Sequence, residues 1–307
     1  MRFTRYSSLL VLAGSLAFGA EVRTLTEAQN PYGLTIGPDG ALYICEIDAH
    51  KVTRLDLKTR QKTAIEAVFE QPYEIRFDKL RNLYVDDMPA NQIYRLDAAT
   101  KERTEIGGVL KQPHSIAFDR TGGLLICDIG NHRIRRVDLK TGAITTAAGT
   151  GTKDATPEGA DLAAAPLNGP RAIAFDASGT MYIVLREGNA IYRVDPSTNR
   201  IYRFAGTGEK GYTGDGGPAL EAKLNGPKGI ACAPDGGVYF ADTENHAIRR
   251  IDSKGIVTTV LGTGVRGDGP DGDPLHCKLS RPHGIFVGSD GTVYVGDSES
   301  NKVRILR

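Results

Sequence analysis

NPYGLTIGPDGALYICE, residues 30–46, decides the fold because the chain repeats it five more times with changes. The copies are QPYEIRFDKLRNLYVDD from Gln71, QPHSIAFDRTGGLLICD from Gln112, GPRAIAFDASGTMYIVL from Gly169, GPKGIACAPDGGVYFAD from Gly226 and RPHGIFVGSDGTVYVGD from Arg281. Each reads Pro-x-x, an apolar run, a Gly or Asp turn, then a second apolar run with a near-constant Tyr. A chance resemblance would drift across insertions, and this one does not. The twelfth residue after each Pro is Tyr43, Tyr84, Leu125, Tyr182, Tyr239 and Tyr294, and the twenty-first is Val52, Ile93, Ile134, Ile191, Ile248 and Val303. Internal repetition on this scale identifies an array of supersecondary units, and here the length varies only after the third run of each unit.

Short β-branched and aromatic runs between turn signals are strands. A further run before the next Pro, such as Ile144 to Ala148 or Val257 to Leu261, makes four strands per unit. The runs are nearly continuous in apolar residues, which suits sheets covered on both faces. Radial stacking of blades gives that covering and protects strand edges. The expected fold is therefore all-β, a six-bladed β-propeller over residues 21–307. The sixth unit stops after its third strand, and EVRTLTE at Glu21–Glu27 has the character of a missing outer strand. The N-terminal segment is expected to complete the last blade.

The segments DIGNHRIRRVD (128–138), DTENHAIRRID (242–252), AGTGEKGYTGDGGPALEAKLNGPKGIA (205–231) and RPHGIFVGSDGTVYVGDSESNKVRIL (281–306) resemble NHL-repeat proteins, the exported bacterial kind with Gly-rich insertions between blades. The resemblance spans essentially all of residues 21–307. It implies a propeller used mainly as a binding platform, and fold alone does not imply an enzyme.

Residues 1–20 read as a leader: Arg2 and Arg5 are followed by an apolar run from Ser8 to Phe18 and a small-residue region from Ala17 to Ala20. Export to a secreted or periplasmic location follows as an expectation, and no later stretch is long and apolar enough for a membrane span. With 38 basic and 37 acidic residues the net charge is +1, giving no whole-molecule field that would draw a nucleic acid or an anionic membrane. Arg135, Arg136, Arg249 and Arg250 recur in third strands and imitate a basic stripe. The four cysteines, Cys45, Cys127, Cys232 and Cys277, are expected as free and mostly buried thiols, with Cys232 and Cys277 as the pair worth testing for a disulfide. A monomer is expected.

Functional residues are sought where a repeat position keeps its place but changes its type. The first residue after each Pro does so: Tyr32, Tyr73, His114, Arg171, Lys228 and His283. Lying at the entry of the innermost strand, these six side chains are expected to ring the mouth of a central channel. Phenols, cations and imidazoles around one concavity suit an anionic, hydroxylated or carbonyl-bearing small molecule. Glu74, next to Tyr73, is the one channel carboxylate this numbering places. By contrast, the nineteenth residue (His50, Asn91, His132, Asn189, His246, Asn301) and the fifteenth (Glu46, Asp87, Asp128, Leu185, Asp242, Asp297) read as turn and strand-end hydrogen-bonding positions.

Two enzyme resemblances bear on the same positions. Peptide α-amidating lyase is similar in its Pro-His propeller repeats and holds a catalytic zinc on His from alternate blades. The alternate sets here are Tyr32, His114 and Lys228, or Tyr73, Arg171 and His283, with one His each, short of the three ligands catalytic zinc needs. His114 and His283 remain the candidate metal ligands. Lactonases of the SMP-30/gluconolactonase kind are similar in fold and need several oxygen ligands for calcium, of which only Glu74 has a counterpart. The insertions Gly149–Leu167, Gly206–Leu224 and Gly262–Leu279 carry Asp215, Asp268, Asp271 and Asp273 among glycines. They read as structural loops on the channel-mouth face, rimming a binding surface. The leading expectation is a non-enzymatic module binding a small molecule, glycan, peptide or protein. The alternative is a metal-assisted lyase or lactonase-like hydrolase, with zinc or calcium as the metal.

Overall fold

In a computed structural model the described residues are 19–307, so nearly all of the expected leader lies outside them. Six antiparallel sheets follow one another, four of four strands and two of five. Within each blade the strands run in order from the axis outward: blade three, for example, comprises Pro113–Phe118, Leu124–Asp128, Arg133–Val137 and Ile144–Ala148. The second strand of every blade is buried almost throughout, as its unbroken apolar composition requires. Apolar side chains pack between neighbouring blades in six clusters, one to each interface of the ring.

The expected closure is present. Val22–Glu27 pairs antiparallel with Lys302–Leu306, Val22 opposite Leu306 and Glu27 opposite Lys302. Glu21 N donates to Arg307 O at 2.8 Å and Ala28 N to Asn301 O at 2.9 Å, so the two ends of the described chain form one blade. No helix among the described residues is long and apolar enough to cross a membrane.

The nineteenth-position residues all adopt the left-handed conformation, with φ between 45° and 56°. Asn and His tolerate that region better than bulkier side chains. Their side chains then reach the next blade: Asn91 Oδ1, His132 Nδ1, Asn189 Oδ1, His246 Nδ1 and Asn301 Oδ1 accept from the N–H of Gln112, Gly169, Gly226, Arg281 and Asn30, at 2.7–3.2 Å. What reads in sequence as a residue serving its own turn is a staple between blades, and Asn301 to Asn30 staples the seam. The fifteenth-position acids also serve a different segment from the one expected. They accept from the segment entering their own blade, as Asp128 does from Lys111 N at 2.7 Å and Asp297 from Ser280 N at 2.7 Å.

The insertions depart most from expectation. They run along the outer edge of the following blade and into the wedge behind it. Ala160–Asp161 adds a fifth strand beside Arg200–Ala205, and Gly217–Pro218 adds one beside Ile256–Leu261. Gly272 bridges to Val22 in the last blade. Leu162, Ala165 and Leu167 of the first insertion, Ala219, Ala222 and Leu224 of the second, and Cys277 and Leu279 of the third are buried between blades. The insertion aspartates are engaged by blade residues: Asp215 by Arg249, Asp268 by Arg304 and Lys302, and Asp271 by Arg304. The apparent basic stripe is neutralised too, Arg136 by Asp119 and Arg250 by Asp235. All four cysteines are free. Cys232 packs at the interface of blades four and five and Cys277 at that of blades five and six, so the two do not form the pair the sequence suggested.

Candidate functional site

In blades one to four the innermost strand starts at the repeat Pro, and in blades five and six it starts at Ile230 and Gly284. In all six the residue after the Pro lines the axial cavity. The six ring residues meet there and touch. Tyr32 stacks on His283 with ring centroids 4.0 Å apart and meets Tyr73 edge-on at 4.9 Å, and Tyr73 meets His114 at 5.0 Å. Arg171 Nη1 donates to His114 O at 3.3 Å, and its guanidinium lies 5.9 Å from the Tyr73 ring centre. Lys228 Nζ lies 2.9 Å from His283 Nε2. The expected open mouth is therefore a plug. The cavity it lines holds about 20 Å3, room for one water molecule.

The plug has two unlike halves. Tyr32, Tyr73 and His114 are partly exposed, whereas Arg171, Lys228 and His283 retain 6%, 4% and 5% of their surface. Burial pushes the Lys228 amine down to about 7, with Arg171 adding repulsion. Burial, then the cations Lys228 and Arg171, hold His283 well below the usual imidazole range. His114 is likewise driven down by burial and Arg171.

Hydrogen bonding fixes the tautomer of His283. Ser298 Oγ donates its single proton to Pro31 O at 2.7 Å, so it must accept from His283 Nδ1 at 3.0 Å. Nε2 is then an acceptor and takes a hydrogen from Lys228. Lys228 also bonds Glu244 Oε1 at 3.1 Å. Arg281 grips Glu244 through Nε at 2.9 Å and Nη2 at 2.7 Å, and reaches Glu299 with Nη1 at 2.8 Å. Glu299 in turn takes Arg266 of the third insertion. Although burial acts against it, the contacts with Arg281 and Lys228 hold the Glu244 carboxyl down to about 2.

Glu244, Glu299 and Arg281 are absent from the sequence-derived set, yet the signal was available. The seventeenth residue after each Pro is Asp48, Pro89, Gly130, Glu187, Glu244 and Glu299, a position that changes type while keeping its place. Asp86 was also missed. It sits opposite Glu74 in the strand ladder, is fully buried, and has both carboxyl oxygens without a partner among the described residues. Burial first, then repulsion from Glu74, drives its pKa far up toward the protonated form. Glu74 lies on the axial cavity with its Oε1 taken by Arg76 at 2.6 Å, and burial raises its pKa as well.

The zinc arrangement suggested by the lyase resemblance does not fit these residues. Among the described residues no three His, Cys, Asp or Glu side chains converge as a metal site. His283 has both ring nitrogens engaged by Lys228 and Ser298, and His114 Nδ1 lies 2.8 Å from Gln112 O.

Comparison with known proteins agrees with the repeat pattern. A family model described as the teneurin NHL domain matches residues 195–278, and the NHL repeat model matches residues 110–137 and 279–306. Teneurin-1 of Gallus gallus is 32% identical over 157 residues, a match covering 38% of this chain and 6% of the relative, so the chain spans a small part of that protein. An auxiliary nutrient binding protein from Bacteroides thetaiotaomicron superposes with a TM-score of 0.74 at 20% identity, over 94% of this chain and 76% of that one. Virginiamycin B lyase from Staphylococcus aureus superposes with a TM-score of 0.61 at 18% identity, over 94% and 98% of the two chains. At these identities the structural likeness shows the fold alone.

Proposed function

We propose that this chain, an NHL-repeat β-propeller, is an exported binding protein that takes a small anionic ligand, or the acidic end of a glycan, on the ring face at Arg171, Lys228 and His283. Arg171 carries the reading. The residue is 6% exposed, and its guanidinium meets no carboxylate among the described residues. A buried charge without a counter-ion is costly, and an anion arriving from the ring face relieves that cost. Lys228 adds a second cation beside it, while Tyr32 and Tyr73 offer phenol groups to a hydroxylated or carbonyl-bearing ligand. The nutrient-binding neighbour supports the reading at the level of the fold. The leader-like pattern of residues 1–20 is what supports export, and cell fractionation tests it directly.

The ligand test is a thermal-shift screen of sugar acids, sugar phosphates and short dicarboxylates, followed by calorimetric titration of any hit. Lys228→Met and Arg171→Gln should each weaken the hit by about tenfold or more, the cost of one charge-assisted contact. Equal affinity for the neutral analogue would move the site elsewhere.

One observation favours catalysis as a second reading. A buried amine poised near neutral pH against a neutral imidazole is suited to removing a proton next to a carbonyl. Elemental analysis bears on the metal-assisted form of that reading. Stoichiometric zinc, copper or iron that is lost in both His114→Ala and His283→Ala would restore it.

A further inference from the structure

At the twenty-second residue after the repeat Pro three blades carry an arginine, and each stands opposite a threonine of the outer strand: Arg135 opposite Thr146, Arg249 opposite Thr259, and Arg304 opposite Thr24. In blades five and six an insertion brings an aspartate to that pair. Asp215 accepts from Arg249 Nη2 at 2.9 Å and from Thr259 Oγ1 at 2.6 Å. Asp271 accepts from Arg304 Nη1 at 3.0 Å and from Thr24 Oγ1 at 2.9 Å. Just beyond each aspartate the inserted chain joins the outer strand, Gly217–Pro218 against Val257 and Ile256, and Gly272 against Val22. In blade five the segment goes on to Ala219, whose N–H donates at 2.8 Å to Gly255 O in the turn before the outer strand. Ala219 then packs in the wedge between blades.

Blade three has the same fittings and no insertion to use them. Arg135 bonds Asp128 at 2.8 Å and Thr146 Oγ1 at 2.6 Å, and among the described residues it meets no second carboxylate. Its outer strand, Ile144–Ala148, is the free edge of a four-stranded sheet, with Thr145 and Thr146 exposed. The preceding turn, at Gly142, borders a cavity of about 700 Å3 between blades two and three, walled mainly by Phe77, Tyr84, Ile106, Phe118, Val137 and Leu139. In blade five Ala219, held by Gly255 O in the corresponding turn, packs into the wedge between blades four and five.

We propose that the outer edge of blade three binds an extended segment of a partner protein, in which an aspartate precedes an apolar residue by a few positions. The carboxylate bridges Arg135 and Thr146, the backbone adds to the edge of Ile144–Ala148, and the apolar side chain enters the cavity. Strand addition of this kind draws affinity from main-chain hydrogen bonds and specificity from the side-chain sites. The chain's own insertions, seated on the equivalent fittings of blades five and six, set the chemistry of the occupant. This surface is separate from the ring and does not depend on the ring's function.

The probe is a fluorescent peptide GYTGDGGPAL, copying residues 211–220, titrated with the whole folded chain and followed by anisotropy and hydrogen exchange. Expected are saturable binding, slowed exchange over residues 143–148, and about tenfold weaker binding when the peptide's Asp becomes Asn. Arg135→Gln should lose binding to the same degree, and the peptide change reports even if that variant folds poorly. No binding at about 1 mM, equal binding of the Asn peptide, or protection confined to other blades would overturn the proposal. Self-association of the chain that the peptide and Arg135→Gln both abolish would replace the partner with a second copy. An apolar dye that fills the cavity equally well in Arg135→Gln, with no peptide binding, would reduce the site to a small-molecule cleft.

Discussion

Blades one to three and blades four to six are built on one repeat and finished differently. Of the outer strands of the first half, Lys62–Ala64 and Arg103–Ile106 are largely exposed and Ile144–Ala148 partly so, and all three are free edges, whereas Arg200–Ala205 and Ile256–Leu261 are paired on both sides. Wedges between blades in the first half stand open as cavities of about 700 and about 480 Å3. In the second half, apolar residues of the insertions occupy the wedges. The ring follows the same division, aromatic and partly exposed on one side, cationic and buried on the other. The insertions thus strengthen the half whose ring residues include the buried cations Arg171 and Lys228. Burying such charge opposes folding, and the added edge pairing and apolar packing act in the other direction.

The largest expected effect tests whether the halves depend on each other at all. Removing Glu21–Glu27 deletes the outer strand of the sixth blade and exposes the edge of Lys302–Leu306. Because the strand joins the two halves at the seam, cooperative unfolding of the whole ring should be lost, measured as a broadened and lowered thermal transition. A truncated chain with an unchanged transition would show that the halves stand alone.

Next in size is the contrast between equivalent arginines. Arg249 is fully buried between Asp242 and Asp215, so Arg249→Ala should cost about 3–5 kcal/mol in urea unfolding, the usual cost of breaking a buried ion pair. Arg135→Ala, at a partly exposed arginine with one carboxylate, should cost less than half as much. Equal costs would mean that the insertion carboxylates add nothing to the clasp.

Lys228→Met removes the buried amine and leaves Glu244 held by Arg281. The variant should be more stable than the parent below about pH 7, where the charged amine is desolvated. Above that pH it should lose the advantage, because the missing bonds to Glu244 and His283 remain as a cost. The sign of the pH effect follows from the downward shift to about 7. Between that value and the ordinary lysine range, the unfolded chain binds more protons than the folded one. Stability of the parent from this group therefore rises with pH from about 7 to about 10 and is lowest below 7. The variant should lack that slope. A parent whose stability is flat across this range would show that Lys228 is not desolvated as the ring geometry requires.

The fold was legible because its evidence is repetition: Pro31 to Pro282, the Tyr positions and the closing EVRTLTE needed only counting. The first ring set was legible for the same reason. Its closure was not, since whether six side chains line a hole or fill it depends on the radius of the ring and on their rotamers. Glu244, Glu299 and Asp86 were within reach of the same count at other positions, whereas the grip of Arg281 on Glu244 crosses between blades and leaves no mark in either repeat. The insertions misled because Gly and Asp describe a turn without saying which surface it lies on. Their buried apolar residues, Leu162 and Leu167, Ala219 and Leu224, Cys277 and Leu279, were the signal that these loops have a core-facing side.

The smallest effect concerns the open half. Leu80 lies on the rim of the larger cavity and is 77% exposed, so it contributes little to the folded state. Leu80→Ser should change stability by less than about 0.5 kcal/mol, in the range of ordinary surface substitutions. Leu220, 47% exposed on the second insertion, offers a matched control at the edge of a filled wedge. If the open wedge is a docking surface, Leu80→Ser should weaken the GYTGDGGPAL peptide measurably while Leu220→Ser leaves its binding unchanged. Equal indifference to both changes, with peptide binding intact, would confine the contact to Arg135 and the strand edge and leave the cavity out of recognition.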